Sequence, residues 1–239
     1  MTACPISPCR LAPCSALLVA LLLGGPAAWA APAGEVTHVS GALMSRKADG
    51  TSKILAPKSQ VEAGDLLATA ADTYARVKFT DGGEVTLRPN TQLRVDSFSF
   101  DKNAAGKDSA VFSLLKGGLR TITGLVGKRK PNSYEMRTTV ATIGIRGTNY
   151  GLLFCQEDCQ NLTNNDGQVP ANGLHLDVAD GIISVTNQGG VVLFSAGQFG
   201  YVQNITTPAT PVPPGQGVTN NMPGFGGPPA GNNAECAVQ

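Results

Sequence analysis

The sequence predicts an all-β protein, with almost no helix outside a signal peptide. Apolar and polar residues alternate with a period of two in short segments such as Tyr74–Phe79. Glycine-containing turns close these segments about every 8–12 residues. No stretch of about ten or more residues shows the 3.6-residue apolar period of an amphipathic helix. Many short strands with glycine turns are typical of a roll or sandwich or of a solenoid-like arrangement.

Residues 1–30 are predicted to be a secretory signal peptide. Arg10 supplies a positive charge, Ala16–Leu23 is a short apolar run, and Ala28-Trp29-Ala30 has the small-x-small form of a cleavage site. The apolar run is far shorter than the ~20 residues that a spanning helix needs. We expect cleavage after Ala30, a periplasmic or secreted chain, and no membrane span after cleavage. A short retained membrane anchor is the alternative.

The strand candidates follow one another along the chain, each closed by a turn. Before the middle of the sequence they are Glu35–Ser40, Ala42–Arg46, Tyr74–Phe79, Glu84–Arg88, Gln92–Phe100, Val111–Leu115 and Leu119–Ile122. Gly117-Gly118 is predicted to separate the last two, and residues 128–132 to form a basic turn. The later candidates are Tyr134–Arg137, Leu152–Cys155, Leu174–Val178, Ile182–Thr186, Val191–Phe194 and Phe199–Gln203, with a turn at Asp180-Gly181.

One domain is expected over residues 31–205, which is long enough to bury a sizeable core. The tail, residues 206–239, contains 7 Pro and 6 Gly and a single charge. Such a composition buries too little apolar surface to offset its ordering entropy. The tail is therefore predicted to be disordered.

The charges divide sharply at Arg146, the last basic residue. From residue 31 to Arg146 there are 17 Lys/Arg against 11 Asp/Glu, a net of +6, and the remaining residues carry six acids and no Lys or Arg. We expect the two halves to pack together with partly complementary charges. No clustered basic face with interleaved aromatic residues is evident, so a nucleic-acid partner is not expected.

The sequence offers no candidate catalytic, cofactor-binding or metal-binding residues, and we predict that the protein is not an enzyme. It contains no Gly-x-Ser-x-Gly elbow, Walker loop or His-Glu-x-x-His motif. His38 and His175 lie in strand candidates, where a solvent-facing role is expected. Asn161–Gly167 has oxygen donors that could serve calcium, but Asn-Asn-Asp-Gly is primarily turn chemistry.

Cys155 and Cys159 are predicted to form a disulfide that fixes the loop after a strand. An exported location favours disulfides, and the Cys-x-x-Cys spacing of redox motifs is missing. Cys236 is then left over in the tail. Pairing of Cys236 with one of these two cysteines or with another chain is the alternative.

The segment Thr138–Tyr150 joins the two halves, and its glycines around Arg146 indicate a bend or bulge. Arg146 either pairs with an internal carboxylate or faces a ligand, since a guanidinium suits both tasks. We expect an internal salt bridge, with Gly147 in a conformation that other residues resist. The candidate carboxylates, all beside glycine turns, are Asp65, Asp81 and Asp180.

Several blocks, in this order and spacing, resemble the FecR domain family over residues 34–151, with a looser continuation through the meander 172–205. These blocks are Val39-Ser-Gly41, Glu62–Thr69, Tyr74–Gly82, Leu87 to Leu93, Leu115–Gly118 and Thr139–Thr148. The last contains an Arg-Gly-Thr signature. The resemblance implies motif residues whose role we expect to be structural: Gly64, Asp65, Asp81, Gly82, Arg146, Gly147 and Thr148.

Named members of that family regulate iron-siderophore uptake, with a cytoplasmic anti-sigma segment, one transmembrane helix and a periplasmic domain of this kind. We expect this chain to be a stand-alone exported domain without the anti-sigma segment. It would act as a non-enzymatic protein-interaction or scaffold module with an envelope protein partner, its oligomeric state being open. One alternative is a signalling accessory that docks an outer-membrane receptor or regulator system. The other, a polysaccharide-binding or polysaccharide-cleaving protein, requires for cleavage two carboxylates about 5–10 Å apart.

Overall fold

A computed structural model of the chain describes residues 31–219 and residue 222. The predicted signal peptide, its cleavage site and Cys236 lie outside the described residues.

The all-β prediction is confirmed. Fifteen strands are present in the described part of the chain: β1 (Pro32–Val39), β2 (Leu43–Arg46), β3 (Ser52–Leu55), β4 (Gln60–Glu62), β5 (Leu66–Thr69), β6 (Ala75–Phe79), β7 (Glu84–Leu87), β8 (Gln92–Ser99), β9 (Ser109–Ile122), β10 (Tyr134–Arg137), β11 (Thr142–Cys155), β12 (Gly173–Asn187), β13 (Gly190–Ser195), β14 (Phe199–Val202) and β15 (Thr210–Val212). The helical elements there are α1 (Leu125–Arg129) and two 3₁₀ turns, Ala105–Lys107 and Pro131–Ser133. No helix among these residues is both long and apolar enough to cross a membrane.

All fifteen strands belong to one mixed sheet. Its pairings are antiparallel except that β9 and β10 run parallel. Three long strands, β9, β11 and β12, connect the rest because each changes partner partway along its length. β9 pairs with β8 and β10 before Gly117 and with β7 and β11 after it. β12 pairs with β14 before its bulge at Gly181 and with β13 after it.

The sequence-based prediction of separate strands is wrong at two of these places. Gly117-Gly118 lies inside β9, and Asp180-Gly181 lies inside β12. Gly117 and Gly181 both have φ near +78°, a conformation that serves a bulge as well as a turn. The strands therefore bend at these glycines and continue, while their partners change. The basic turn predicted at 128–132 is instead the end of α1 followed by a 3₁₀ turn.

The predicted alternation places the core correctly. In β6, Ala75, Val77 and Phe79 are buried while the two residues between them face outward. One hydrophobic cluster gathers side chains from most strands. Phe79 and Phe112 meet edge to face at 5.1 Å inside it. Because this main cluster contains residues from Ala33 to Ala209, the strands between them share one core.

His175 differs from the expected solvent-facing role. It lies in the first half of β12, where residues 173–178 are all buried, and its exposed fraction is 7%. Its ring is 4.9 Å from that of Tyr201, and Nε2 is 2.8 Å from the carbonyl oxygen of Ala171. Burial disfavours the charged imidazolium and so lowers the pKa of His175.

The predicted boundary at residue 205 also differs from the structure. β15 pairs with β14, and Val218 is buried beside Leu153 and the Cys155–Cys159 disulfide. The loop between β11 and β12 holds this segment, since the amide nitrogens of Asn165 and Asp166 donate hydrogen bonds to the carbonyl oxygens of Gly217 and Gly215. Residues 206–219 thus pack on the domain. Composition could not show this, because these contacts lie about 50 residues away in the chain.

The disulfide prediction is confirmed. Cys155 and Cys159 are bonded, with Cα atoms 5.5 Å apart, and both are buried. They contact Leu153 and Val218 in a small hydrophobic cluster of their own. The disulfide therefore contributes the surface on which the C-terminal segment packs.

Replacing Val218 by Asp should lower the free energy of unfolding by at least about 2 kcal/mol, because it buries an unpaired carboxylate against the disulfide. Urea unfolding of the full chain measures the change. Val169→Asp is the matched control, since Val169 is 49% exposed and should shift stability by no more than about 0.5 kcal/mol. Equal effects of the two substitutions would contradict the packing of this segment.

Stability should fall as the pH drops below about 6.5, the ordinary pKa of histidine. The pKa of His175 is lowered in the folded state, so the unfolded chain takes up the proton first. The neutral His175 side chain contributes fully to the free energy of unfolding above the pKa that it has in the unfolded chain. This contribution is lost on acidification, by at most about 1.4 kcal/mol per pH unit. His175→Gln should reduce this slope in urea unfolding between about pH 7.5 and about pH 5, a range that brackets the ordinary pKa of histidine.

Candidate functional site

The Arg-Gly-Thr segment forms a bulge at the middle of β11. The pairing of β11 with β12 shifts between Arg146 and Asn149. Gly147 has φ +56°, as expected, and Gly181 opposite has φ +78°. A Cβ atom on Gly181 would lie 2.1 Å from the carbonyl oxygen of Gly147. Both strands must therefore bulge together, and neither glycine tolerates a side chain without strain.

Arg146 is not the expected internal clamp. Its side chain is exposed, and it makes no hydrogen bond or ion pair with any described residue. The reason is the alternation in β11, in which Ile143 and Ile145 face the core, so that Arg146 faces outward.

Two of the three candidate carboxylates have structural partners elsewhere. Asp65 is fully buried, accepts a hydrogen bond from the amide of Glu62 at 3.0 Å, and forms an ion pair of 3.3 Å with Lys47. It closes the turn before β5, in which Gly64 has φ +89°. Asp180, the third candidate, is exposed. Gly64 and Asp65 thus have a structural role in a turn and do not form a binding site.

Asp81 stabilises the next hairpin and the start of α1. Its carboxylate accepts hydrogen bonds from the amides of Gly83 at 2.9 Å and Val126 at 3.2 Å. Gly82 has φ +82° in the same turn. Thr148, the last motif residue, is buried, and its amide donates to Oγ1 of Thr123 at 2.9 Å. The motif residues therefore lie in three separate places, and the structure does not bring them into one site.

Ion pairs do connect the basic and acidic halves as predicted, but they do not involve Arg146. Arg120 of the basic half forms an ion pair with Asp177 of the acidic half at 2.5 Å, and Nη1 of Arg120 donates to Asn149 at 2.9 Å. The Asp177 side chain is 6% exposed. Lys116 and Asp158 form a second such pair at 3.4 Å. Arg120 thus occupies the position across the two halves that we expected Arg146 to hold.

Arg146 borders a groove of about 780 Å³ on the outer face of β10 to β13. We call this the outer groove. Its floor is made of small residues on β11 and β12, namely Thr142, Gly144, Ser184 and Thr186. Leu193 and Ile182 border it on one side, and Pro131 and Asn132 on the other. Each floor residue faces outward because its neighbours in the strand are core residues.

A second depression of about 570 Å³ continues the outer groove past Arg146. Lys128, Arg129 and Lys130 line it. Arg129 lies over the ring of Phe100 at 5.4 Å, and Lys130 is 3.4 Å from the carbonyl oxygen of Gly106. The side chain of Lys128, like that of Arg146, has no hydrogen-bond or ion-pair partner in the described part of the chain. Exposed cations without partners make this end of the groove attractive to an anion.

The single carboxylate among the residues of the outer groove and its extension is Glu135. Glu135 is paired with Arg137 at 2.6 Å. Beneath the groove, the hydroxyls of Tyr134 and Tyr150 are 3.0 Å apart and buried, and burial raises the pKa of Tyr134 to about 12. Both phenols are therefore neutral core groups. Within residues 31–219, no group of three or more His, Cys, Asp and Glu side chains could hold a metal ion.

Sequence reasoning missed the outer groove because its residues come from distant segments. Lys128 to Lys130 were assigned to a turn, and Arg146 to the interior. The signal that could have found the groove is the alternation itself, since Thr142, Gly144 and Arg146 share one face of β11.

Arg120→Met should lower the free energy of unfolding by about 2–3 kcal/mol, because it breaks the ion pair between Arg120 and the buried Asp177. Arg146→Met should change it by no more than about 0.5 kcal/mol, because Arg146 is exposed and unpaired within the described residues. Urea unfolding of both variants measures the difference. A larger loss for Arg146→Met than for Arg120→Met would restore Arg146 to the role of internal clamp.

Comparison with known proteins agrees with the resemblance inferred from the sequence. The family model described as FecR protein matches residues 65–169. Two crystal structures of a protein provisionally named an anti-sigma factor from Parabacteroides distasonis ATCC 8503 are similar in part, at 14% identity and TM-scores of 0.45 and 0.44. Each likeness covers 62% of this chain and 58% of that chain, and concerns shape alone. No curated protein matches. The resemblance to the FecR family is thereby confirmed, over residues 65–169 and not over the 34–151 inferred from the sequence.

Proposed function

We propose that this chain is an exported, non-enzymatic interaction module of the cell envelope, and that its outer groove docks an acidic segment of a protein partner. The observation that carries the proposal is Arg146, which stands exposed and without a partner among the described residues at the junction of the groove and its basic extension. The match to the FecR family supports an interaction role in the envelope.

Charge complementarity favours an acidic occupant. Lys128, Arg129, Lys130 and Arg146 contribute four cations to one continuous surface, and its one carboxylate is already paired with Arg137. A guanidinium presents a planar fork of donors that matches a carboxylate in a two-point contact. Such a surface accelerates the approach of an acidic segment and makes binding sensitive to salt.

The lining of the outer groove suits an extended peptide. Its floor of Thr, Gly and Ser side chains leaves room above the sheet, and Leu193 and Ile182 offer apolar contacts at the side opposite Pro131. An acidic segment with apolar residues on one flank would contact both kinds of surface. The polysaccharide-cleaving alternative needs a pair of carboxylates, and the groove lining supplies only Glu135.

A signalling accessory is a narrower form of the same proposal. In that form the acidic segment would belong to an outer-membrane receptor or regulator system, as the FecR match suggests. The predicted signal peptide supports a periplasmic or secreted location for either form. The identity of the captured partner distinguishes them.

A photo-crosslinking amino acid at Ser184, on the groove floor, should capture an envelope protein in intact cells. Adding Arg146→Met should reduce the adduct about tenfold, the loss expected for one charged two-point contact of about 1.4 kcal/mol. Arg46→Met is the matched control, since Arg46 is an exposed arginine on β2 outside the groove. Mass spectrometry identifies and quantifies the adduct.

A crosslinker at Ile54, on β3, controls for random capture. Equal adducts from Ser184 and Ile54, or a Ser184 adduct unaffected by Arg146→Met, would overturn the proposal. An adduct with a polysaccharide instead of a protein would contradict the proposal and support the polysaccharide-binding alternative.

A further inference from the structure

We propose that the free edge of β13 pairs antiparallel with β13 of a second copy of this chain, with the two-fold axis at Val192. This inference stands apart from the docking of a partner in the outer groove, because it concerns the backbone edge of β13 and not the side chains on the groove floor. It rests on the hydrogen-bond pattern of the sheet, the exposure of two side chains and the lack of charge.

β13 is an edge strand, since within residues 31–219 it pairs with β12 only. The amide of Ala196 donates to the carbonyl oxygen of Gly181 at 3.1 Å, which makes Ile182 and Ser195 a non-hydrogen-bonded pair. Bonded and non-bonded pairs alternate, so Phe194, Val192 and Gly190 bond to β12. The backbone groups of Val191 and Leu193 must then point away from β12, toward the open edge.

The side chains of Val191 and Leu193 are each 64% exposed. Both lie on the outer face of the sheet, because their neighbours Val192 and Phe194 face the core. Monomeric proteins usually protect an edge strand that carries exposed apolar residues, by means of charged side chains, proline or bulges.

The other short edge strands have such protection, whereas β13 lacks it. β3 carries Lys53, β15 contains Pro211, and β4 has only three residues. No charged residue occurs from residue 181 to residue 234. Two copies of β13 can therefore approach each other without charge repulsion.

The spacing of the free groups is self-complementary. An antiparallel pairing centred on Val192 places Val191 opposite Leu193 of the second copy, and Leu193 opposite its Val191. Both pairs are of the hydrogen-bonded type, so four N–H···O=C bonds use every outward backbone group of the two residues in both copies. A two-fold contact of this kind closes on itself and yields a dimer rather than a filament.

The same axis runs perpendicular to the joined sheet, which places the outer faces of both copies on one side. Val191 of one copy then packs beside Leu193 of the other, and Ile182, 38% exposed, lies on the same face. Because Leu193 also borders the outer groove, the two grooves become neighbours on a single surface. A dimer would present two docking grooves together, which strengthens the binding of a partner with two acidic segments.

Sedimentation equilibrium of the exported chain over a wide concentration range tests the dimer. We expect a reversible rise of the weight-average mass toward twice that of the monomer. Leu193→Pro should raise the dimer dissociation constant at least tenfold, because it removes an outward N–H while leaving the bonds to β12 in place. Ile54→Lys, on the edge strand β3, should leave the dissociation constant unchanged.

Leu193→Thr separates the two sources of association. It keeps the backbone groups and the β propensity, so it should weaken the dimer less than Leu193→Pro does. Hydrogen exchange of the unmodified chain provides a measurement that needs no variant: protection of the Val191 and Leu193 amides should increase with protein concentration. A monomer at all concentrations, or exchange at these amides that is independent of concentration, would overturn the proposal. An unchanged dimer in Leu193→Pro would do the same.

Discussion

The contact between Gly147 and Gly181 is the constraint on which the centre of the sheet depends. With the Gly147 carbonyl so close that Gly181 cannot carry a Cβ atom, β11 and β12 can stay paired only by bulging at the same level. Before the bulge β11 pairs with β10, and after it with β9. In the same way β12 pairs with β14 before the bulge and with β13 after it. One close approach of two backbones therefore sets which strands surround the core at each end.

The bulge also determines which arginine is internal. Arg146 lies on the outward face of β11 immediately before the bulge, whereas Asn149, beyond it, accepts a hydrogen bond from Arg120. Arg120 reaches Asp177 from the neighbouring strand β9. A net of +6 before residue 147 predicts that some cation must cross to the acidic half. The charge count does not identify which residue crosses, because this depends on the face of the sheet to which each side chain points.

The features that could be predicted from the sequence are those with a local cause. The alternation in β6, the Asp81-Gly82 turn and the Cys155–Cys159 bond all depend on residues close together in the chain. Gly117 and Gly181 were misassigned because a positive φ serves a turn and a bulge equally. The packing of Val218 could not be predicted, because its partners lie about 60 residues earlier. The outer groove and its extension could not be predicted for the same reason, because their residues come from segments between α1 and β13.

The division of charge along the chain gives the two halves different surfaces on one sheet. The basic half contributes α1 and the residues after it, which line the extension of the outer groove with Lys128, Arg129 and Lys130. The half after residue 147 contributes β13 and the part of β12 that follows Asp180, and these segments contain no charged residue. The basic extension can select a partner by charge. The uncharged β13 edge can contact the same edge of a second copy without charge repulsion. Arg146 on β11 borders the basic extension, β11 pairs with β12, and β12 pairs with β13, so a single strand separates this arginine from the self-pairing edge. Assembly through β13 would therefore change the surroundings of the groove directly, without any movement transmitted through the core.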